Sequence, residues 1–370
     1  MRLMISGGGT GGHIYPALAL IKRLQERRLL DLDEVLYVGT AKGLEADIVT
    51  KAGIPFETIE IQGFKRKLTF DNFHTLTLFH KSLTRAKKLI QEFQPDIVIG
   101  TGGYVCAPVC YEASRLHIPT MIHEQNSVAG VSNKFLAHFV DRICYVFPEV
   151  AHQFPESKKL VFTGNPRAQE VSALKTQGML AELGLNPDLQ TLLIVGGSRG
   201  AAPLNKAVVE GIPEFSEKPY QVIFITGRAL YDNVIKEIGT EKTAPNVKVL
   251  AYLDNMSQLL PEIAVFGGRS GATTLAEVTA LGIPSILIPS PYVTHDHQSK
   301  NADYLVKNSA ALLLPEMELN GRSLVAAADH ILLDSEVWQR MHMASLKLAT
   351  TDASDKMIEE MMSLIRAHRH

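Results

Sequence analysis

At 370 residues the chain is long enough for two domains, each able to bury its own core. With 46% hydrophobic and 21% charged residues and a mean hydropathy near zero, it has a globular composition, which excludes a disordered or fibrous chain. A net charge of −2 argues against nucleic acid as a partner held by overall charge. Cys106, Cys110 and Cys144 form no CxxC pair and read as reduced thiols. The first apolar run follows a single basic residue, so no secretory leader is expected, and no uninterrupted window of about 18 apolar residues stands out as a membrane span.

In chain order, the apolar run 3–6 leads straight into Gly7-Gly8-Gly9-Thr10-Gly11-Gly12-His13. Ile14, Ala17, Leu18, Ile21 and Leu24 then follow helical spacing, with Lys22, Arg23, Glu26 and Arg27 on the other side. Strand, glycine loop and helix together present backbone N–H groups and a helix dipole to a phosphate. Gly7, Gly9 and Gly12 satisfy G-x-G-x-x-G, which raises a dinucleotide. That reading requires an acid roughly 20 residues on, at the end of the second strand, to hold a ribose. Strand 35–38 ends instead in Gly39-Thr40, with Asp33 and Glu34 before it, so an NAD-dependent oxidoreductase loses its best support. Asp31-Leu32-Asp33 has the letters of a metal-binding DxD but precedes a strand, on the wrong end of the sheet, and no metal is assigned to it.

Further strands are expected at 96–99, 120–123, 192–195, 222–225, 247–250 and 263–266, alternating with helical patterns. Such alternation gives an α/β fold of doubly wound parallel sheets with helices on both faces. A second strand-and-glycine opening at 191–201, through Gly196-Gly197-Ser198-Arg199-Gly200-Ala201, makes two Rossmann-like halves, with 163–187 as the candidate hinge. Met357, Met361 and Ile365 near the far end read as core filling. Ligands of open parallel sheets bind beyond the carboxyl ends of the strands. Four loops there are glycine-rich, at 7–13, 100–104, 196–200 and 267–271. The last runs through Ala272-Thr273-Thr274 into a helix carrying Glu277. Amides and hydroxyls at a helix start suit a diphosphate, and a carboxylate further along suits a ribose diol. His295 and His297 have the look of a metal pair in isolation, but a polar loop that positions Gln298 is the simpler reading.

GGGTGGHIYPALA at 7–19, GTGGY at 100–104, HEQN at 123–126, GNPR at 164–167, GGSRGA at 196–201, RSGATTLAE at 269–277 and HQSKNA at 297–302 resemble the MurG family of bacterial peptidoglycan synthesis. The motifs run in order over nearly the whole chain, and the GTGGY and HEQN pair separates it from other lipid glycosyltransferases. The resemblance implies the GT-B architecture, two Rossmann-like domains facing across a cleft with the C-terminal helix crossing back to the first. It implies an N-terminal acceptor and membrane domain at 1–163, joined by 345–370, and a donor domain at 164–344. It implies inverting transfer of N-acetylglucosamine from UDP-N-acetylglucosamine to the C4 hydroxyl of lipid I, giving lipid II, with no metal and no cofactor. Donor contacts carried over are Thr10, Gly11, Gly12, Asn126, Arg167, Ser198, Leu253, Ala272, Thr273, Thr274, Glu277 and Gln298. Acceptor contacts are Gly9, Thr10, His13, Gly103 and Tyr104. A place at the cytoplasmic face of the cell membrane, held peripherally and within a cell-wall synthesis complex, is implied as well.

A single inverting displacement needs a base on the acceptor hydroxyl and a group that absorbs charge on the departing UDP. His13, ending the loop that faces the acceptor and titrating near neutrality, is the first choice of base, and Glu124 the alternative. The helix start at Ala272 carries the leaving group, with Arg167 or Arg199 assisting. Between residues 64 and 89 stand Lys65, Arg66, Lys67, Lys81, Arg85, Lys87 and Lys88 against the single acid Asp71, interleaved with Phe64, Leu68, Phe70, Phe73, Leu76, Phe79 and Leu83. That segment is expected to touch an anionic membrane surface, the alternative being an amphipathic helix packed on its own domain through Leu76, Phe79, Leu83, Ala86 and Ile90. A diacylglycerol glycosyltransferase, a nucleotide-sugar epimerase and a sugar-nucleotide binding module are the remaining alternatives. UDP release that depends on lipid I separates them.

Overall fold

The computed structural model describes residues 1–62, 70–155, 157–197, 200–239 and 244–368, with the side chains of 70–76, 157 and 294 excepted. The chain divides into two compact units, Met1–Glu170 with Thr350–His370, and Val171–Ala349. Each is built on one wholly parallel sheet, buried on both faces.

The first sheet has the order β3-β2-β1-β4-β5-β6-β7, its strands being β1 Leu3–Gly7, β2 Val35–Gly39, β3 Phe56–Thr58, β4 Ile97–Gly102, β5 Thr120–Glu124, β6 Arg142–Tyr145 and β7 Leu160–Phe162. Alternate residues serve opposite faces, as the pleat requires. Leu3, Ile5, Val35, Tyr37, Ile97 and Ile99 pack with Ile14, Leu20, Ile21 and Leu24 of the helix Gly11–Glu26. Met4, Leu36, Val38, Val98 and Ile122 pack with Ala86, Leu89 and Ile90 of the helix Phe70–Phe93 and with Val109 and Ala113 of the helix Cys106–Arg115. The C-terminal helix Ala353–His368 completes the first of these faces, burying Met357, Met361 and Ile365 against the helix that follows β1.

The second sheet has the order β10-β9-β8-β11-β12-β13, from β8 Thr191–Val195, β9 Gln221–Ile225, β10 Val247–Leu250, β11 Val265–Gly268, β12 Ser285–Leu287 and β13 Ala311–Leu313. The strand expected at 263–266 begins two residues later. Ile263 closes a short turn onto Leu260, and the ladder runs on through the glycines, pairing Gly267 with Ile194 and Gly268 with Val195. Gly100 and Gly102 likewise belong to β4 rather than to the loop after it. The short strands at 56–58, 160–162 and 311–313 lie on sheet edges, and of their residues only Ala311 is buried.

In both sheets the strand order reverses between the first strand of the unit and the fourth. These reversals lie between β1 and β4 and between β8 and β11, and ligands collect at the carboxyl ends of such pairs. All four glycine loops of the sequence follow one of these strands. The chain passes from one unit to the other inside the helix Pro166–Ser172. The segment after it is anchored by one carboxylate, Glu262, whose two oxygens accept the N–H groups of Gln177, Gly178, Met179 and Leu180 at 2.8–3.1 Å.

The C-terminal helix is tied down through Asp355. Arg23 binds its carboxylate from two nitrogens at 2.9 and 2.8 Å, Gln169 donates to it, and Arg27 lies at 3.3 Å. The hydrogen bonds from Arg23 first, then the one from Gln169 and the nearby positive charge, hold the Asp355 carboxyl below its ordinary value of 3.8 against a smaller opposing effect of burial. A carboxyl depressed in the folded state stabilises above its unfolded pKa and loses that contribution as pH falls through the folded value. Thermal unfolding from pH 6 down to pH 3 is therefore expected to show a steeper loss in the wild type than in Asp355→Asn, which starts lower. Parallel curves would remove Asp355 from the acid response.

Candidate functional site

The seat at the end of β1 is built by backbone meeting backbone. Gly8 N–H donates to the Gly102 carbonyl at 3.2 Å, and the register between β1 and β4 slips so that Thr101 is left over, a bulge between Gly100 and Gly102. The Thr101 side chain is buried in that gap, donating its hydroxyl to the His13 carbonyl at 2.7 Å. Gly102 and Gly103 have positive φ, and both lack room for a side chain. A Cβ on Gly102 would lie 2.5 Å from the His13 ring, and one on Gly103 2.5 Å from the Gly8 carbonyl oxygen. GTGGY thus has a residue-by-residue account. Thr101 fills the bulge, the next two glycines admit His13 and Gly8, and Tyr104 stands exposed beyond them.

Gly9, Thr10, Gly11, Gly12 and His13 come together around the first turn of the helix Gly11–Glu26, whose N-cap is Thr10. Amides in a helix first turn face outward, toward an anion. His13 Nδ1 lies 2.7 Å from the Gly8 carbonyl oxygen and 3.3 Å from the Thr10 hydroxyl. A carbonyl oxygen only accepts, so Nδ1 carries the proton and Nε2 is the basic nitrogen of the neutral ring.

HEQN divides its labour. His123 is fully buried with Nε2 donating to the Gly164 carbonyl at 2.9 Å; burial first, and His13 nearby, push its imidazole down to about 4, although the hydrogen bond opposes this. Glu124 is 2% exposed and accepts three hydrogen bonds, from Asn126 N–H at 3.0 Å, Gly130 N–H at 2.9 Å and Asn133 Nδ2 at 2.8 Å. Those partners order the loop after β5. Gln125 donates to the Thr101 carbonyl at 2.6 Å, bracing the bulge, and Asn126 is the half-exposed member of the motif. In GNPR, Gly164 has φ +79 and its Cβ would lie 2.0 Å from Thr350 Oγ1, while Asn165 accepts from Arg167 N–H at 3.0 Å. The Arg167 guanidinium pairs with Glu170 and stands 5.6 Å from the centre of the Tyr15 ring.

In the second unit, Gly200 has φ +77, and its Cβ would lie 2.1 Å from the Thr226 carbonyl oxygen. Ser198 and Arg199, which bear two of the expected roles, lie outside the described residues. After β11, Arg269 is turned inward, donating to the carbonyls of Ile288 and Pro289 and pairing with Glu316. It braces the loop after β12. Ser270 is buried, donating to the Gln298 carbonyl at 2.7 Å and accepting from Asn301 at 3.2 Å through its own carbonyl. Gly271 caps the helix Ala272–Ala280, which exposes part of Thr273 and Thr274 in its first turn and buries most of Glu277. Gln298 accepts from Ser290 N–H at 2.9 Å. His295 and Asp296, just before it, both take left-handed backbone that non-glycine residues adopt only under constraint. Leu253 is half-buried in the loop after β10.

Sequence reading missed Glu45. Its helix Leu44–Lys51 follows β2, and its carboxylate is fully buried under the first glycine loop. Gly9 N–H donates to Oε2 at 3.0 Å, and Thr40 donates to Oε1 through N–H at 3.0 Å and its hydroxyl at 2.6 Å. Burial raises the Glu45 pKa, but the Thr40 hydroxyl and the backbone amides of Gly9, Glu45 and Thr40 outweigh it and hold the carboxyl below its ordinary range. The available signal was Gly8, Gly39 and Gly43, none at positive φ, each of whose absent Cβ would fall within 2.6 Å of the Glu45 side chain.

Of the basic segment, 64–69 lies outside the described residues, and so do the side chains of Phe70, Asp71, Phe73 and Leu76. Further along the helix Ala86 and Ile90 are buried, Phe79 and Leu83 are half-buried, and Lys81, Lys87 and Lys88 are exposed. Arg85 pairs with Glu57 at 2.7 Å. Among the described residues no helix is long and apolar enough to cross a membrane, and no three His, Cys, Asp or Glu side chains converge as metal ligands.

The glycosyltransferase family 28 N-terminal domain matches residues 3–145 and the family 28 C-terminal domain residues 191–357. A Lactobacillus gasseri protein named UDP-N-acetylglucosamine--N-acetylmuramyl-(pentapeptide) pyrophosphoryl-undecaprenol N-acetylglucosamine transferase is 53% identical over 368 residues, 99% of this chain and 100% of the relative. The crystal structure of Acinetobacter baumannii MurG is similar with a TM-score of 0.77 and 27% identity, over 98% of this chain and 99% of that one. UDP-GlcNAc 2-epimerase from Neisseria meningitidis bound to UDP-GlcNAc shares the fold, with a TM-score of 0.69 and 12% identity over 98% and 100% of the two chains.

Gly9 and Gly103 both have positive φ, but a Cβ on Gly9 would meet nothing within 4 Å. Gly9→Ala is expected to cost only the left-handed strain of about 1–2 kcal/mol. Gly103→Ala adds an overlap typical of overpacking, about 1–3 kcal/mol more. Denaturant unfolding of the two variants checks the order, and equal losses would remove the close approach of Gly103 to Gly8.

Proposed function

The chain belongs to glycosyltransferase family 28, and from that membership we propose how its two glycine-loop seats divide the work of sugar transfer. The protein is an N-acetylglucosaminyltransferase, moving the sugar from its UDP donor onto lipid I to form lipid II of peptidoglycan synthesis. The observation that carries this is the 53% identity to a relative of that name over 99% of the chain, with every glycine loop present.

In our reading the acceptor diphosphate lies on the amides of Thr10, Gly11 and Gly12 at the helix start, with Gly9, Gly103 and Tyr104 beside it. The support is a helix N-terminus whose residues are small and outward-facing. The donor diphosphate lies on the start of the helix Ala272–Ala280, at Ala272, Thr273 and Thr274, together with Ser198. Glu277 takes the ribose diol, Leu253 packs on uracil, and Asn126, Arg167 and Gln298 make further donor contacts. The hydrogen bonds of Ser270 with Gln298 and Asn301 support the last of these, because they set Gln298 against the same helix start.

His13 Nε2 accepts the proton of the sugar C4 hydroxyl as that oxygen forms its bond to the anomeric carbon. The bond from the anomeric carbon to the β-phosphate oxygen breaks, UDP leaves with the electron pair, and the configuration inverts. Developing negative charge on the diphosphate falls on the helix dipole at Ala272, so the step calls on no metal ion. Glu124, with three N–H donors on its two oxygens, serves as the order-giving group of the Asn126 loop rather than as the base.

His13→Ala is expected to lower kcat by about 10²–10⁴, the usual worth of a general base, with little change in KM for UDP-N-acetylglucosamine. Near-normal turnover at saturating substrates would remove the assignment. UDP release is expected only when a lipid I analogue is present; release without acceptor would point to an epimerase.

The segment 64–89 is our choice for contact with the membrane, at its cytoplasmic face. Its support is six exposed or sequence-clustered cations, Lys65, Arg66, Lys67, Lys81, Lys87 and Lys88. Each basic side chain near an anionic surface is worth about 1 kcal/mol, so replacing Lys65, Arg66 and Lys67 with alanine is expected to weaken co-sedimentation with phosphatidylglycerol vesicles roughly 100-fold. Binding indifferent to these changes would sink the reading.

A further inference from the structure

The peptide unit joining Gly8 to Gly9 is held at both ends. Its N–H, on Gly9, donates to Glu45 Oε2 at 3.0 Å, and its C=O, on Gly8, accepts from His13 Nδ1 at 2.7 Å. The two groups of a trans peptide point in opposite directions. A carboxylate that draws the N–H inward therefore turns the carbonyl outward, toward the imidazole. We propose that Glu45 is a positioning residue for the transfer reaction, acting through this one peptide to keep the His13 proton on Nδ1 and to present Nε2 as the basic atom.

This role of Glu45 rests on the reading of His13 as the base, and it gives a purpose to a group that touches neither substrate. When Nε2 takes the acceptor proton, the imidazolium keeps its Nδ1–H on the Gly8 carbonyl. That carbonyl is polarised by the charge-assisted bond behind it, because hydrogen bonds in a chain strengthen one another at low dielectric. Glu45 takes no proton in the step. Its effect is the one an aspartate has on a catalytic histidine in direct contact, delivered through an amide.

The two oxygens of Glu45 have separate partners, and this makes the idea testable. Oε1 is taken up by Thr40, a local bond that ties helix to strand, whereas Oε2 alone faces Gly9. Other titratable groups around the arrangement come from four elements. Tyr37 on β2 donates to the Gly7 carbonyl and is raised by burial. Cys106, at the start of the helix Cys106–Arg115, is pushed up to about 12 by burial, and His123 on β5 is pushed down to about 4 by the same cause. Those three are uncharged near neutrality. Glu124 on β5 accepts from Asn133, and Arg167 pairs with Glu170 beside Tyr15.

The test combines the kcat–pH profile of the full-length protein, with a lipid I analogue, and ¹⁵N spectra of labelled histidine. In Glu45→Gln the amide nitrogen sets a donor against the Gly9 N–H when its oxygen serves Thr40. The expected result is a fall in kcat on the order of 10- to 100-fold, the usual worth of a partner behind a reacting group. KM for UDP-N-acetylglucosamine stays unchanged, the acid limb moves to lower pH, and the His13 proton is no longer confined to Nδ1. Thr40→Val, which spares the Oε2 bond, keeps the wild-type limb and tautomer even where it lowers the melting temperature. Circular dichroism and cooperative thermal unfolding report whether each variant is folded. Glu45→Gln with wild-type kcat, limb and tautomer would overturn the proposal. A neutral wild-type His13 protonated on Nε2 would overturn it without any variant. Loss of the acid limb in His13→Ala while Glu45→Gln behaves as wild type removes Glu45 alone, whereas retention of turnover and limb in His13→Ala removes the base reading itself.

Discussion

The arrangement depends on two strand ends being allowed to touch. Where β1 and β4 finish, Gly8 N–H donates to the Gly102 carbonyl at 3.2 Å, and a Cβ on Gly103 would lie 2.5 Å from the Gly8 carbonyl oxygen. Everything in the first unit that concerns chemistry follows from that approach. The slip in register it forces leaves Thr101 over, Thr101 binds the His13 carbonyl, and Gln125 braces Thr101 from the next strand. The second unit meets the same constraint between β8 and β11, where a Cβ on Gly268 would lie 2.3 Å from the Val195 carbonyl oxygen.

Much of this was legible in the sequence, because a glycine cluster directly after an apolar run marks a strand end where backbone must turn or come close to something else. The central strands were found for the same reason that they are central: burial on both faces demands unbroken apolar residues. The edge strands at 56–58 and 160–162 are three residues long and half in solvent: Phe56-Glu57-Thr58 carries no such run, and Leu160-Val161-Phe162 is apolar but too short to stand out. Strand 263–266 was placed two residues early because glycine reads as a loop, yet Gly267 and Gly268 are ladder residues paired on both sides, and at Gly268 a Cβ would meet the Val195 carbonyl oxygen. Glu45 stayed hidden because a lone glutamate early in a polar helix looks like solvent-facing charge, and only the three glycines around it disclose its burial.

HEQN shows how a motif can mix direct and indirect duties. His123, Glu124 and Gln125 are buried and bound to Gly164, the Asn126 loop and Thr101 in turn, so three of the four letters hold neighbouring backbone in place. A motif reading naturally gives a carboxylate so placed to catalysis. Burial and a full set of N–H donors argue for a different use, since a carboxylate so satisfied has little to gain from leaving its partners. The arginines divide in a similar way. Arg269 sits inside RSGATTLAE but is bound to two carbonyls and Glu316, which makes it a brace for the neighbouring loop and not a phosphate ligand.

The packing around Glu45 also bears on how such a chain can drift over evolutionary time. Gly8, Gly39 and Gly43 come from two separate stretches of sequence, and no backbone angle obliges any of them to be glycine. What crowds Gly8 and Gly43 is the volume of one side chain, whereas Gly39 answers to two, since a Cβ there would also lie 2.9 Å from the Phe56 ring. A smaller residue at 45 therefore relieves Gly8 and Gly43 together but leaves Gly39 against Phe56. Covariation of positions 8 and 43 with 45, and of 39 with 45 and 56 at once, is the mark this carboxylate would leave on its lineage.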